Sequence, residues 1–184
     1  MTDAVIVSTA RTPIGKAYRG AFNNLSAPTL AAHAIRAAVE RAGIEAGEVE
    51  DVIMGCALQQ GTGGFNVGRM ASLAAGLPVT TAAMTLDRQC ASGMIAIAAA
   101  AQQIVQEGVS VMVAGGLESI SLVQNEHFNI HRIHDTNVSA ANAAAYMPMI
   151  EAAEIVARPW TPLHCKASSV ALRLRRQDCL TLKS

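Results

Sequence analysis

Short β-branched runs and longer stretches with apolar residues every three or four positions take turns along this chain. The first run, "AVIVSTA" at 4–10, precedes a Pro13–Ile14–Gly15 turn and predicts a buried strand. Ser26 can cap a helix with Pro28 in its first turn. Leu30, Ala34, Ile35, Ala37 and Ala38 supply that helix's apolar stripe, and Gly43 its stop. "DVIMGCA" at 51–57 reads as the next strand, followed by a glycine-rich loop, "QQGTGGFN", and a short helix from Val67 that stops at Gly76. "TAAMTLD" at 81–87 is a third strand and "VSVMVAGG" at 109–116 a fourth. Between them, small and apolar residues after Cys90 predict a deeply buried helix ending at Gly108. Strands alternating with helices predict an α/β fold: a mainly parallel sheet with helices on both faces. Past Glu118 the pattern loosens through a long excursion, and a helix resumes near "MIEAAEIVA".

Composition narrows the class. The chain has 184 residues, 51% hydrophobic, 3% aromatic and 15% charged, with a formal net charge of zero. That length suits one ordinary domain with a real core. Nothing at the whole-chain level marks a nucleic-acid binder. No apolar run reaches the roughly 18 residues of a membrane span, and the start, with Asp3, is no secretory signal. Cys56, Cys90, Cys165 and Cys179 are unevenly spaced and form no disulfide pattern, so a soluble protein of the reducing cytoplasm is expected. Neutrality hides an asymmetry. Residues 1–157 carry eight Lys/Arg against thirteen Asp/Glu, whereas 158–184 carry six against one. The basic tail also holds Trp160 and two of the four cysteines.

The candidate chemistry centres on Cys90. It sits where strand gives way to helix, and first-turn amides together with the helix dipole favour a thiolate there. Ala91, Ser92 and Gly93 leave room for an acyl group, and the same amides can hold an oxyanion. Asp87 opposes thiolate formation and Arg88 favours it. A small buried core cysteine is the alternative, and the local pattern leaves both open. Cys56, inside an apolar strand, reads as core. "QQGTGG" lacks the Lys-Ser/Thr ending of a phosphate loop and reads as a connection. His127, His131 and His134 would share a helix face and, with Glu126 or Asp135, could ligate zinc, but the stretch lacks a helix-forming pattern, so no metal site is expected. "GGLESIS" at 115–121 ends the fourth strand, where α/β sheets present loops to ligands; a plain turn explains it equally well.

Four segments in order, "VIVSTARTPIGK", "VIMGCALQQG", "LDRQCASGMIAI" and "AGGLESIS", resemble the thiolase family, which includes acetyl-CoA acetyltransferases and 3-oxoacyl-CoA thiolases. The match runs from about residue 4 to 157. The resemblance implies the thiolase fold, two similar α/β halves of which this chain supplies the first. It implies that Cys90 is the catalytic nucleophile, attacking an acyl carbonyl and carrying the acyl group as a thioester. Coenzyme A thioesters are then substrates, and no bound cofactor is expected. Coenzyme A and a homo-oligomer, dimer or tetramer, are the implied partners; nucleic acid and membrane are not. Residues 1–121 correspond to the family's N-terminal core and 122–157 to the start of the loop domain that covers CoA.

Departures from the family shape a further expectation. The family's second half provides a histidine in a Gly-His-Pro motif, a second cysteine in a Cys-x-Gly motif, and a histidine that completes an oxyanion hole. The Gly-His-Pro and Cys-x-Gly motifs occur nowhere in this sequence. The codons for "WTPLHCKASSV", shifted by one base, permit a family-like continuation. The expected reading is therefore a truncated, inactive fragment whose residues 158–184 are an out-of-frame, irregular tail. A basic nucleic-acid-binding tail is the rival. Two other classes remain: a non-catalytic dimerisation module or pseudoenzyme, and another condensing enzyme such as a ketoacyl synthase. "ARTPIGK" and "GGLESIS" favour thiolase over synthase.

Overall fold

The structure, a computed structural model, describes residues 3–158. Trp160, His164, Cys165, Cys179 and the rest of the basic tail beyond Arg158 lie outside the described residues. The chain divides into two compact units, one up to Asn129 and one from Ile130.

In the first unit three parallel strands, β1 (Asp51–Gly55), β2 (Ala82–Leu86) and β3 (Met112–Gly116), lie in the order β2-β1-β3. Asp51 pairs with Ala82 on one side and Met112 on the other, and Gly55 with Leu86 and Gly116, so all three strands end level. The two crossovers are helices, as parallel strands require: α2 (Val67–Ala75) between β1 and β2, and α3 (Ser92–Glu107) between β2 and β3. Successive β1 side chains point to opposite faces. Val52 and Met54 pack with α2 and α1 (Ala27–Ala42), while Ile53 packs with Ala96 and Ala100 of α3. Ile53 is 0% exposed, and burying such a side chain contributes about 1.5–3 kcal/mol. The result is the expected α/β sandwich of helix, sheet and helix.

Sequence and structure agree on the helix ends. Gly43, Gly76 and Gly108 all take the left-handed conformation that closes a helix. Ser26 is the N-cap residue of α1, with a proline in the first turn, but its hydroxyl donates to Thr29 Oγ1 while the Ala27 amide donates to Thr62 Oγ1 across the fold.

Four expectations are corrected. Residues 4–10 form no strand: Val5, Ile6 and Val7 are 70%, 75% and 74% exposed. A β-branched run becomes a strand only beside another, and among the described residues the outer edges of β2 and β3 pair with nothing. The predicted "VSVMVAGG" strand keeps its place but shortens to Met112–Gly116. Helix α3 is not deeply buried. Only Ser92, Ala96 and Ala100, a single i, i+4, i+8 line, are buried, and Met94, Ile97 and Val105 face outward. The stripe on α1 is also rotated: Ala27, Ala31, Ala32, Ile35 and Val39 are buried, whereas Leu30, Ala34 and Ala38 flank an open groove.

After β3 the first unit closes with α4 (Ile120–Val123), tied back by the Tyr18 amide to Ser121 Oγ and the Tyr18 hydroxyl to the Gln124 carbonyl. The second unit holds α5 (Thr136–Ala141), capped by the Asp135 carboxylate on the Asn137 and Val138 amides, and α6 (Met149–Ala157). Among the described residues no helix is long and apolar enough to cross a membrane.

Candidate active site

A parallel sheet presents its working loops at the carboxyl ends of its strands. Here those ends are Gly55, Leu86 and Gly116, and Cys90 lies four residues past Leu86. Cys90 is exposed, whereas the other described cysteine, Cys56, is buried. The core alternative left open for Cys90 is excluded, and the core reading of Cys56 holds.

Between β2 and α3 the backbone turns within five residues. The Ala91 amide donates to the Arg88 carbonyl (3.1 Å) and the Ser92 amide to the Gln89 carbonyl (3.0 Å), two overlapping turns that straddle Cys90. Gln89 has φ +50°, left-handed for a residue with a Cβ. Such a conformation persists only where the surroundings over-determine it. The surroundings are polar. Asp87 Oδ1 accepts from the Gln89 amide (2.6 Å), and Ser92 Oγ accepts from the Arg88 amide (2.8 Å) and donates to the Gln89 carbonyl (2.6 Å). Asp87 is thus engaged with the backbone of the turn. Helix α3 begins without a side-chain cap. Among the described residues the Gly93 and Met94 amides have no acceptor, so the helix mouth beside Cys90 keeps donors available.

Three glycines set how close that mouth comes to the sheet. A Cβ built on Gly55 would lie 2.2 Å from the Ser92 carbonyl carbon, and one on Gly116 would lie 2.9 Å from Gly93 Cα. Backbone meets backbone at these points, and no side chain fits between.

Glu118, the acid of "GGLESIS", braces the next loop. Its carboxylate accepts from the Ala57 amide (3.0 Å), the Leu58 amide (3.3 Å) and the Cys56 thiol (3.6 Å). Burial first, and then the Glu118 charge and hydrogen bond, push the Cys56 thiol up to about 12. That thiol stays protonated at neutral pH and is no nucleophile. The glycine-rich loop contains a 3-10 turn at Gly61–Gly63, where a Cβ built on Gly63 would lie 2.6 Å from the Leu58 carbonyl oxygen and 3.5 Å from Cys56 Sγ, a packed connection rather than a cradle.

The histidines go separate ways. His127 pairs with Glu126 at 3.6 Å in the open, and His134 stacks on Tyr146 with ring centroids 4.3 Å apart. Among the described residues no three His, Cys, Asp or Glu side chains gather as metal ligands. A groove of about 500 Å³ runs between residues 10–15, α1 and the outer edge of β3, and Cys90 does not line it. The sequence singles out Cys90 as the candidate but not the Ser92 bracket, the Glu118 brace or the Gly55–Gly93–Gly116 contacts, for which the motif glycines were the available signal.

Comparison with known proteins gives one consistent result. The family description "Thiolase, N-terminal domain" matches residues 4–160. The 3-ketoacyl-CoA thiolase of Bacillus subtilis (strain 168) is 38% identical over 162 residues, 87% of this chain and 40% of that protein. The mitochondrial acetyl-CoA acetyltransferase B of Xenopus laevis is 48% identical over 123 residues, 67% of this chain and 29% of that one. The crystal structure of the Bacillus anthracis acetyl-CoA acetyltransferase superimposes with a TM-score of 0.71 at 35% identity, over 87% of this chain and 42% of that chain. The chain therefore spans about two fifths of the length of the first of these relatives and of the solved structure.

Proposed function

The chain belongs to the thiolase family, and on that premise we propose that Cys90 accepts an acyl group from a coenzyme A thioester. The observation that carries the reading is the contrast between the two described thiols. One is exposed on a strained turn at a helix mouth, and the other is buried and held protonated. In the proposed step the Cys90 sulfur bonds to the acyl carbonyl carbon and the carbon–sulfur bond to CoA breaks. CoA leaves as a thiolate and takes up the proton that Cys90 released. The transient oxyanion is served by amide donors such as those of Gly93 and Met94. The acyl group then passes from Cys90 to a second acceptor, the thiol of CoA or the carbanion of another acetyl-CoA.

A complete cycle also needs a base for the thiol and an acid–base group for the acceptor. Among the described residues no side chain hydrogen-bonds the Cys90 sulfur. The 184-residue chain is therefore expected to carry out the acylation half-reaction slowly and to show little turnover. Residues 122–157 are read as the start of a segment that covers CoA. The open outer edge of β2, with Ala82 and Met84 exposed, favours pairing with a second copy. A cytoplasmic setting and a role in fatty acid metabolism complete the reading.

The test is incubation of the purified chain with acetyl-CoA, followed by peptide mapping of the hydroxylamine-sensitive acyl group. Acetyl on the Cys90 peptide, lost in Cys90→Ser, is expected. Acetyl that persists in Cys90→Ser, or none on the wild-type Cys90 peptide, overturns the assignment.

A further inference from the structure

We infer that Ser92 is a positioning residue for the Cys90 sulfur, acting through the left-handed turn at Gln89. The inference rests on Cys90 being the acyl acceptor and adds what holds it in place.

Ser92 is the first residue of α3 and is 4% exposed. Helix propensity does not account for a serine there, since alanine is the better helix former. Nor does capping: Ala91 occupies the cap position, and the Ser92 hydroxyl points backward out of the helix. The hydroxyl has one proton and two lone pairs. The proton goes to the Gln89 carbonyl at 2.6 Å, and a lone pair receives the Arg88 amide at 2.8 Å. Asp87 Oδ1, at 3.4 Å, is the weaker acceptor and already holds the Gln89 amide. The Asp87–Arg88 and Gln89–Cys90 peptide groups are thus tied to one buried oxygen. Gln89 between them takes a conformation that a non-glycine residue avoids by itself. Remove the hydroxyl and Gln89 is free to relax to negative φ, which swings the Cys90 peptide off the helix mouth. No hydrogen bond links Cys90 Sγ to Ser92 or Asp87, so the effect reaches it through the backbone.

A substitution that relieves the left-handed cost should therefore replace the hydroxyl's role. Glycine at 89 does this, because it takes positive φ freely. A serine needed only for packing would not be rescued by a change three residues away.

The experiment uses the 184-residue chain and two probes of Cys90 followed by mass spectrometry. Phenyl thioacetate, an activated acetyl thioester, demands an aligned tetrahedral intermediate. Iodoacetamide demands only an exposed thiol. Ser92→Ala is expected to slow acylation by about tenfold, within the range that small displacements of a reacting group produce, with alkylation unchanged. Ser92→Ala with Gln89→Gly is expected to recover most of the loss. Asp87→Ala removes the turn's exposed anchor and leaves the Ser92 hydroxyl its shorter bond to the Gln89 carbonyl, and should show the same selective loss and the same rescue. It carries the test if Ser92→Ala does not fold. Acylation at the wild-type rate in Ser92→Ala and Asp87→Ala overturns the inference. So does a loss shared equally by both probes, or one that glycine at 89 fails to relieve. A wild-type chain that iodoacetamide labels at Cys90 and phenyl thioacetate does not would instead sink the acyl-acceptor reading, and this inference with it.

Discussion

Consider alanine placed at Gly55, the last residue of the central strand. The added methyl carbon would stand 2.2 Å from the Ser92 carbonyl carbon, and 2.5 Å from both the Gly93 nitrogen and the Ser92 oxygen. Carbon atoms in favourable contact sit about 3.5–4.0 Å apart, so the first turn of α3 must retreat by more than about 1 Å. All three obstructing atoms are backbone, so no side chain can rotate away. Overpacking of this kind costs about 1–3 kcal/mol and sometimes more. Displacing a reacting group by about 1 Å can cost about a hundredfold in rate. Gly115 supplies the control, one strand away. A methyl there would meet Met54 Cε at 3.7 Å and Sδ at 3.8 Å, an ordinary contact with a flexible side chain. Gly115→Ala should leave stability within about 0.5 kcal/mol of wild type. Urea unfolding followed by far-UV circular dichroism reads the stability, and Cys90 acylation by phenyl thioacetate reads the displacement. Equal unfolding midpoints and acylation rates for the two variants would refute the view that backbone contact at Gly55 sets the position of the helix mouth.

Differential alkylation at pH 7.5 should label Cys90 well before Cys56, since one thiol is exposed and the other is 1% exposed and held protonated; faster labelling of Cys56 would contradict the structure. Alkaline stability follows from the same thiol. Cys56 ionises above its ordinary 9.0 in the unfolded chain but only near about 12 in the folded one, so the folded state holds the extra proton. This contribution is fully present below pH 9 and is lost as the pH rises toward 12, at about 1.4 kcal/mol per pH unit. Urea titrations from pH 8 to 10.5 should show that slope, and Cys56→Ala, which removes the titrating thiol, should abolish its share; parallel curves would count against the assignment. Turnover of acetoacetyl-CoA with CoA by the 184-residue chain should be at least about a hundredfold below that of a two-domain family member run in parallel. Comparable rates would show that the 184 residues already contain every group the cycle needs.

Much of the first unit was legible because its signals are local. Helix stops at Gly43, Gly76 and Gly108, strand runs at 51–57 and 81–87, and the thiol after the third run each need only a few neighbouring residues to be read. Burial is not a local property. "AVIVSTA" has the composition of a strand, but a strand needs a ladder partner, and β3 pairs with β1 instead. Helix α3 has the composition of a buried helix, yet the described residues cover only one side of it. The parts of the site that escaped notice are of two kinds. Glu118 reaches loop residues some 60 positions earlier, a distance no periodicity records. Gln89 adopts a backbone conformation that sequence marks with glycine or asparagine and here marks with neither.

The level ends of the three strands carry a consequence for the order in which the chain assembles. The turn bearing Cys90 is complete in sequence by Ser92, but the surface it rests on includes Gly116, and the loop beside it is braced by Glu118. A chain emerging from the ribosome can form α1, α2 and the β1–β2 pair while the thiol is still unplaced. Some 25 further residues must emerge before β3 can add to the far side of β1, as the non-local pairing of a parallel sheet demands. Until then Gly93 has no glycine to lie against and Cys56 has no carboxylate. During that interval Cys56 has Ala27 and Val67 to pack against but lacks Leu117 and the Glu118 acceptor, so its cover is incomplete. Once β3 arrives, burial rather than the redox state of the medium keeps Cys56 reduced.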